Sequence, residues 1–379
     1  MHDFLRYLPL RHNRVLATAF VAFLVVAFAG RATVIMGAYL MMAFCVVLVN
    51  LPTFASANQR EKNVLILMVL AVSVMLPISL MRSETAIIHF VGTLVSLGAA
   101  FVLTRNVQVF LAASRITLVA AQLYVFAYLA KRGIANFPLA DMIPDSSSNG
   151  VTSYMVLLQA NYCVVNYALN RRASLLTAVA TLAICVVGFG RGSILSAAAI
   201  VVLGLASRVW LGGRARALFV ATLLLIVSVG VSVKYGGEIA KFVNSNTKIG
   251  SGLFDVHRAG MLSEYLDNMD PVTVWTGGSY AGTSIVSDYG GNPHNSFIRA
   301  HYIFGLPYLL LVLILPVYLF HPHHMRSVKF YCGCLLLVVL FRAFTEPVLF
   351  PTLFDFFYFA PSFMLSRDPH AIGAARASE

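Results

Sequence analysis

The sequence predicts an all-α polytopic membrane protein, and three observations carry this prediction. Of the 379 residues, 59% are hydrophobic and only 11% are charged, whereas about a quarter of the residues of a soluble domain are charged. Apolar runs of about twenty residues, the length that crosses the hydrocarbon core of a bilayer, recur along the chain. A single long polar segment, 235–296, interrupts them.

The apolar runs predict about twelve transmembrane helices, since each run is bounded by charges or by Pro, Gly and Asn. The predicted spans are 14–30, 33–51, 64–81, 86–104, 109–130, 151–169, 174–190, 193–211, 216–234, 297–320, 329–346 and 348–365. An alternative for the last two spans is one re-entrant unit. The chain 1–379 is therefore predicted to be a single integral membrane domain, with the large loop 235–296 between the ninth and tenth helices.

Basic residues predict the orientation of the chain, because cytoplasmic loops carry an excess of Lys and Arg. With the N-terminus inside, inner segments hold 15 of the 27 Lys and Arg residues and outer segments hold 9, the others lying within spans. We therefore expect both termini, including the tail 366–379, to be cytoplasmic. The loop 235–296 and the turns at Arg191 and Glu346 are then extracytoplasmic. The same bias explains the net charge of +12, so nucleic acid is not an expected partner.

Metal and disulfide chemistry has little support in the sequence. The five cysteines lie in apolar runs, and neither their odd number nor their spacing indicates a disulfide framework or a zinc site. The cluster His321-Pro-His-His324 has metal-ligand spacing, but it falls between basic residues on the predicted inner face and favours an interfacial loop. Asp141 and Asp145 are interpreted as residues of a solvated loop. No metal and no cofactor is expected.

The polar segment ends in a cluster of ionisable residues where the tenth span begins. His294 follows Pro293, and Arg299 and His301 fall in the first two turns of the span. Asn295 or Ser296 can cap the free N–H groups of that helix. An ionisable side chain at the lipid boundary is costly unless it snorkels, pairs or functions. This stretch therefore predicts one wall of a polar site at a membrane face.

Two further arginines belong to the same predicted face. Arg191 lies in Gly190-Arg-Gly-Ser193 between two spans, and Arg258 lies on an amphipathic helix of the large loop. An arginine at such a position is either an interfacial anchor or a ligand for anions. Because the guanidinium fork pairs with phosphate oxygens, Arg191, Arg258 and Arg299 together with His294 would suit a lipid diphosphate.

Other enzyme classes lack their motifs in this chain. There is no Gly-x-x-x-x-Gly-Lys-Ser/Thr loop for a nucleotide and no Gly-x-Ser-x-Gly nucleophile elbow. No carboxylate pair at a glycosidase spacing stands out on the predicted outer face. A transporter is usually built from repeats, and the chain has no convincing internal repeat.

These features resemble the O-antigen ligase and Wzy-type polysaccharide polymerase superfamily. The similarity covers the whole predicted architecture and is most specific in three motifs. The motifs are Gly190-Arg191-Gly192-Ser193, then Arg258 followed by Trp275-Thr-Gly-Gly278, and then Pro293-His294-Asn295 followed by Phe304-Gly-Leu-Pro307. Gly190 replaces the usual Ser of the family, and Phe304 stands where family ligases often carry Glu.

The resemblance implies a metal-independent, inverting glycosyltransferase at the outer face of the bacterial inner membrane. Its donor would be a glycan on undecaprenyl diphosphate, and its acceptor a glycan or a lipid-linked sugar. Arg191 and Arg258 would hold the diphosphate and His294 would orient or deprotonate the acceptor, while Arg299, His301, Asn295 and Arg342 are candidate substrate-binding residues. Membrane lipids and other polysaccharide-assembly proteins are further candidate partners.

Four functions remain open at this point. A polymerase that extends a lipid-linked polysaccharide is the preferred interpretation, and a ligase that moves the glycan to lipid A–core is the first alternative. A lipid-linked oligosaccharide transporter and a structural scaffold for envelope assembly are alternatives from other classes.

Overall fold

The structure, a computed structural model, describes residues 10–29, 33–133, 138–143, 147–211, 256–320 and 326–367. Helices and turns make up this part of the chain, and it contains no strand. Six of its helices are long and apolar enough to cross a membrane. The predicted all-α class is therefore confirmed for the described residues, and their long apolar helices indicate a membrane protein.

The helices follow the predicted spans closely. The first eight are α1 Leu10–Ala29, α2 Thr33–Val49, α3 Gln59–Arg82, α4 Ala86–Arg105, α5 Val107–Arg132, α6 Ser148–Asn170, α7 Leu175–Val187 and α8 Arg191–Leu211. The others are α9 Val256–Asp267, α10 Pro271–Thr276, α11 Ser284–Ser287, α12 Ser296–Leu319, α13 Arg326–Thr345 and α14 Phe356–Ser366. The predicted ninth span 216–234, the first part of the large loop, the histidine cluster 321–324 and the tail 368–379 lie outside the described residues.

Two predicted spans differ in length or composition from a simple membrane helix. Helix α7 has 13 residues, fewer than the roughly 20 that cross a bilayer. Helix α6 is long, but polar residues such as Gln159 and Asn161 keep it from being apolar throughout, and it is buried along almost its whole length. It contacts α5, α7, α8, α13 and α14. A helix enclosed by other helices can carry polar groups when they find partners, and the Asn161 amide donates to the Phe357 carbonyl at 2.8 Å.

The predicted span 348–365 is wrong as a continuous helix. Residues 346–352 have no regular structure, Leu353–Asp355 form one 3-10 turn, and only Phe356–Ser366 are α-helical. The re-entrant alternative is also wrong, because the Ser366 hydroxyl reaches Glu61 at the opposite end of the bundle from Glu346. The segment crosses the bundle as a broken element. Irregular backbone is tolerated at such a depth only where protein groups satisfy it.

Side chains supply those partners for the irregular segment 346–355. The Asp355 carboxylate is fully buried and accepts from the backbone N–H groups of Phe350 at 2.7 Å and Thr352 at 3.1 Å. The Ser296 hydroxyl donates to the Glu346 carbonyl at 2.7 Å and accepts from the Leu349 N–H at 3.0 Å. The segment is therefore held in a defined shape by residues of its own and of α12.

Side-chain contacts show which helix ends and loops lie at the same end of the helix bundle. At one end, called the loop end here, Asn149 at the start of α6 meets Glu346 after α13. Arg82 at the end of α3 meets Thr276 of the large loop. At the opposite end, Asn63 near the start of α3 meets Tyr318 near the end of α12. The described segments predicted for the outer face thus lie together at the loop end.

The large loop packs against α12 through two glycines. Gly305 has φ +65 and kinks α12, and a Cβ there would collide with the Trp275 carbonyl and the Met75 side chain. Gly277 has φ +100, and a Cβ there would collide with the His301 carbonyl. Only glycine allows both the left-handed backbone and the close approach. The turn after Trp275 is the docking point of the loop, since Gly277 and Gly278 are buried.

Candidate functional site

A cavity of about 800 Å³ opens at the loop end of the bundle. Its walls come from α2, α4, the start of α6, the loop 290–294, α12 and the irregular segment after α13. The polar lining includes His89, Asn149, Ser153, His294, Arg299 and Glu346, and the apolar lining includes Met36, Ile88, Leu353 and Phe354. The cavity is therefore amphipathic, and its volume is within the range of about 300–1,000 Å³ that is typical of ligand sites.

His294 and Glu346 face each other on one wall of this cavity. The Nδ1 atom of His294 lies 3.5 Å from the Glu346 carboxylate. That distance allows charge interaction but is too long for a direct hydrogen bond, and Nδ1 forms none with another described residue. The histidine side chain is 21% exposed and the carboxylate side chain 10%.

Asn149 fixes the position of the carboxylate. Its side-chain amide donates to Glu346 Oε1 at 2.9 Å, and the other carboxylate oxygen faces His294. Asn149 lies in the first turn of α6, and Glu346 follows the last residue of α13. The ends of two helices thus place the carboxylate, and Glu346 is only 7% exposed.

The loop before α12 is folded so that His294 enters the cavity wall. Gly290 and Gly291 both have positive φ, and the Asn292 side chain accepts from the His294 backbone N–H at 3.0 Å. His294 itself has φ +46, a left-handed conformation that is uncommon for residues other than glycine. Such conformations cost about 1–3 kcal/mol and tend to occur at functional sites. The Tyr289 ring meets the imidazole edge-to-face at 5.2 Å between centroids.

Asn295 and Ser296, the two predicted candidates for the cap of α12, hold the helix start and the irregular segment. Asn295 caps α12, because its side chain accepts from the N–H groups of Phe297 at 2.8 Å and Ile298 at 3.3 Å. It is 8% exposed and does not line the cavity, so its prediction as a substrate-binding residue is not supported by its position. Ser296, the other predicted cap, ties α12 to Glu346 and Leu349.

Arg299 and His301 also have structural partners, but they differ in access to the cavity. Arg299 lines the cavity while its guanidinium donates to the carbonyls of Pro347 and of Leu349, the latter at 3.2 Å. His301 lies away from the cavity and is 6% exposed. Its Nε2 lies 2.7 Å from the Val274 carbonyl, and its Nδ1 lies 2.8 Å from the Tyr265 hydroxyl.

The two contacts of His301 fix its tautomer. A carbonyl oxygen can only accept, so Nε2 carries the proton and Nδ1 accepts from Tyr265. Burial raises the pKa of the Tyr265 phenol well above its ordinary value, so this hydroxyl stays protonated and can donate. Both ring nitrogens of His301 therefore join the large loop to α12, and a substrate contact of His301 stays a prediction.

Arg342 lies directly behind the cavity. It is 1% exposed, and its guanidinium donates to Ser153, which lines the cavity, at 2.6 Å and to Thr345 at 2.8 Å. Gly192 makes room for it, because a Cβ at Gly192 would lie 2.9 Å from the Arg342 guanidinium. An arginine buried in a membrane helix is costly and usually functional. Arg342, a predicted substrate-binding residue, therefore does not line the cavity itself but contacts Ser153, which does.

Arg191 and Arg258 are not among the described residues that line the cavity. Arg191 is the first residue of α8, half-buried, and lies between Gly190, which packs on Asn149, and Gly192, which packs on Arg342. It does not line the cavity itself. Arg258 is on helix α9, as predicted, but its side chain lies outside the described part of the structure.

Sequence reasoning missed Glu346, Asn149 and His89 as site residues. The available signal for Glu346 was an acidic residue at the predicted outer end of a span. His89 offered an ionisable side chain in the first turn of a predicted span, which is the same signal that singled out His294. Asn149 carried no signal, since an amide near a helix start is most often a cap.

The described residues contain no group of three or more His, Cys, Asp or Glu side chains arranged to hold a metal ion. Asp141, one of the two acidic loop residues considered for a cation, pairs with Arg132 on the surface, and Asp145 lies outside the described residues. Comparisons of the chain with protein-family models, with curated proteins and with solved structures found no match.

Proposed function

We propose that the chain is a membrane glycosyltransferase that transfers a glycan from a lipid diphosphate to a sugar hydroxyl. The observation that carries the proposal is the pairing of His294 with the buried Glu346 on the wall of an amphipathic cavity at one end of the helices. A histidine held against a carboxylate is a suitable base for a weakly acidic hydroxyl near neutral pH.

The shape and lining of the cavity support a donor that is part lipid and part polar. Met36, Ile88 and Phe354 provide apolar wall, while Arg299 provides fixed positive charge. A lipid-linked sugar diphosphate has the same division, with a hydrocarbon chain that must stay in the bilayer and anionic oxygens that seek arginine. A site at the end of membrane-spanning helices lets one molecule satisfy both demands.

In the proposed reaction His294 Nε2 takes the proton of the acceptor hydroxyl as its oxygen attacks the anomeric carbon. The bond from that carbon to the diphosphate oxygen breaks at the same time, and the diphosphate leaves with the electron pair. Glu346 stabilises the imidazolium that forms, and fixed cations meet the charge of the leaving group. Arg299 is the cation already in the cavity wall, and Arg191 and Arg258 are proposed to join it when the donor is bound. A single displacement inverts the anomeric centre.

The proposal includes a location and an orientation. The loop end faces the extracytoplasmic side of a bacterial inner membrane, with both termini in the cytoplasm and about twelve spans in all, as the bias in basic residues indicates. The donor is proposed to be a glycan on undecaprenyl diphosphate. Extension of a lipid-linked polysaccharide is preferred over transfer to lipid A–core. The two reactions share this chemistry and differ in the acceptor.

The test is turnover by the purified protein with a lipid-linked repeat unit, with and without lipid A–core, because the lengthened product identifies the acceptor. We expect His294→Ala to lose about 10²–10⁴-fold in rate, as is typical for loss of a general base, yet to bind the donor. Arg191→Ala and Arg258→Ala should lose donor binding as well. Folding is checked by thermal melting.

His301→Gln is the matched histidine control, since His301 joins the loop to α12 and does not line the cavity. It should lower the melting temperature more than it lowers the rate at a temperature where the protein is folded. A well-folded His294→Ala variant with wild-type turnover would refute the proposed chemistry.

A further inference from the structure

Helix α10 of the large loop exposes apolar side chains and carries no charge within its length. Val272 is 67% exposed and Trp275 is 60% exposed, and these two residues share one face of the helix because they are three positions apart. Leu266 at the end of the neighbouring helix α9 is 54% exposed. Exposed apolar side chains that share one face of a helix indicate a contact with another molecule or with a membrane.

The position of α10 identifies which contact is made. The helix lies against α12, where the Trp275 carbonyl meets Gly305 and where Val274 bonds His301. Gly305 is nine residues after Ser296, which corresponds to about 14 Å along a helix axis. The residues of α12 beyond His301 carry no charged side chain down to Leu319. Helix α10 is therefore at the depth where the apolar part of α12 begins.

Helix α3 gives the same depth independently. Its last residue, Arg82, donates to the Thr276 carbonyl and to the Thr276 hydroxyl, the latter at 3.0 Å. The turns of α3 before Arg82 expose Met81 at 89% and Val74 at 69%, as expected of a surface in contact with lipid. The C-terminus of α10 is thus bonded to the last residue of a helix that is long and apolar enough to span a membrane.

We propose that α10, together with the end of α9, is seated in the interfacial layer of the bilayer, with Trp275 as its anchor. The partner is the phospholipid headgroup and glycerol region. The end of α3, which exposes apolar side chains, is bonded to α10 at that level, and tryptophan is enriched there because its ring is apolar and its N–H is polar. Membrane contact would hold the segment that leads through Gly277 to His294 at a fixed depth. The proposal does not depend on the proposed reaction.

The test uses the fact that the chain has only two tryptophans, Trp210 and Trp275. In the full-length Trp210→Phe protein, Trp275 alone emits. The protein is placed in phosphatidylcholine nanodiscs, either unlabelled or with bromine atoms near the headgroup end of the acyl chains, and iodide is added from the water. We expect loss of most of the Trp275 emission with brominated lipid and little loss with iodide.

A matched control moves the probe to a polar part of the same loop. Ser287 is exposed at the end of α11, so Ser287→Trp in the Trp210→Phe/Trp275→Phe background should be quenched by iodide and unaffected by brominated lipid. Two outcomes would overturn the proposal. Strong iodide quenching of Trp275 would place it in water, and protection from both quenchers would place it against a second copy of the chain or another protein. Both outcomes are readable without any assay of catalysis.

Discussion

The contact between Glu346 and His294 gives the sharpest test of the proposed site. Glu346→Gln keeps the size of the side chain and an oxygen for the Asn149 amide, which donates to Glu346 at 2.9 Å, but it removes the negative charge. The charge lies 3.5 Å from His294 Nδ1. We therefore expect the variant to fold and to bind the donor, and to lose turnover.

The size of the loss follows from the distance. Two unit charges 3.5 Å apart interact with about 5 kcal/mol at an effective dielectric constant of about 20. Each 1.36 kcal/mol of barrier is a tenfold change in rate, so the full interaction corresponds to roughly 10³–10⁴-fold. Solvent reaches both side chains to a small extent, which makes this value an upper bound. A loss of about 10²–10³-fold in kcat, with KM for the donor little changed, is the expected outcome.

The assay is steady-state transfer by purified protein in nanodiscs, with donor affinity and thermal melting measured on the same samples. Glu346→Asp is the charge-preserving control and should retain more activity than Glu346→Gln, although its shorter side chain lengthens the contact. Ser296→Ala is the structural control, because it removes the bonds to the Glu346 carbonyl and the Leu349 N–H without changing charge. The reasoning is refuted if Glu346→Gln turns over within a factor of about three of the wild type (under 1 kcal/mol), or if Ser296→Ala loses as much kcat as Glu346→Gln at equal stability.

Four further predictions test the fold and the chemistry. Gly305→Ala should destabilise the protein by about 1–3 kcal/mol through a strained φ and a collision with the loop, while Gly333→Ala, in open space within α13, should be neutral or stabilising in the same melting assay. A cysteine at Ser287 should react with an impermeant maleimide from the extracytoplasmic side and one at Gln59 should not; the reverse pattern would invert the orientation. Transfer should survive EDTA, and loss that a divalent ion restores would contradict a metal-independent reaction. The N–H groups of α10 lower the pKa of Asp270 below its ordinary 3.8, so this cap contributes above that pH and is lost as the pH falls further. Acid titration of the emission of the α10 tryptophan should show the loss, and Asp270→Asn should abolish it.

Helix positions could be predicted because length and hydropathy determine them directly. Helix α4 occupies Ala86–Arg105, against a predicted span of 86–104, since charges and turn residues bound the apolar run on both sides. The capping box of Asn58 and Glu61 starts α3 several residues before its apolar run, which explains why the predicted start at 64 was late. Hydropathy predicts the apolar part of a helix, whereas the capping residues predict its first residue.

The candidate site was predictable only in part. His294 was identified because an ionisable residue at a membrane boundary requires a reason, and the structure brings it into the cavity with Arg299. His301 satisfied the same criterion, yet it holds the loop against α12 through Tyr265 and Val274. The sequence alone does not separate these two roles, because both histidines lie near the start of the same helix. The distinction depends on which face of α12 the large loop covers, and that is a tertiary property.

The irregular segment 346–355 explains why the acidic partner of His294 was missed. Its residues are apolar enough to continue a span, so hydropathy predicts a helix and assigns Glu346 to a turn. The structure shows instead that Asp355 and Ser296 satisfy the freed backbone groups, which lets the chain stay unwound inside the bundle. Because the segment is not helical, Glu346, Thr352 and Phe354 all line the cavity. A regular helix would have distributed these side chains around its axis. The cavity and the broken element therefore have one cause. Asp355→Asn, which weakens the bonds to two backbone N–H groups, should loosen the segment and disturb the His294–Glu346 contact, although Asp355 follows Glu346 by nine residues in the sequence. Crosslinking of cysteines placed at 294 and 346 would measure this directly: we expect a slower and less complete reaction in the Asp355→Asn protein than in the same pair with Asp355 intact, and equal rates would show that the segment keeps its shape without the carboxylate.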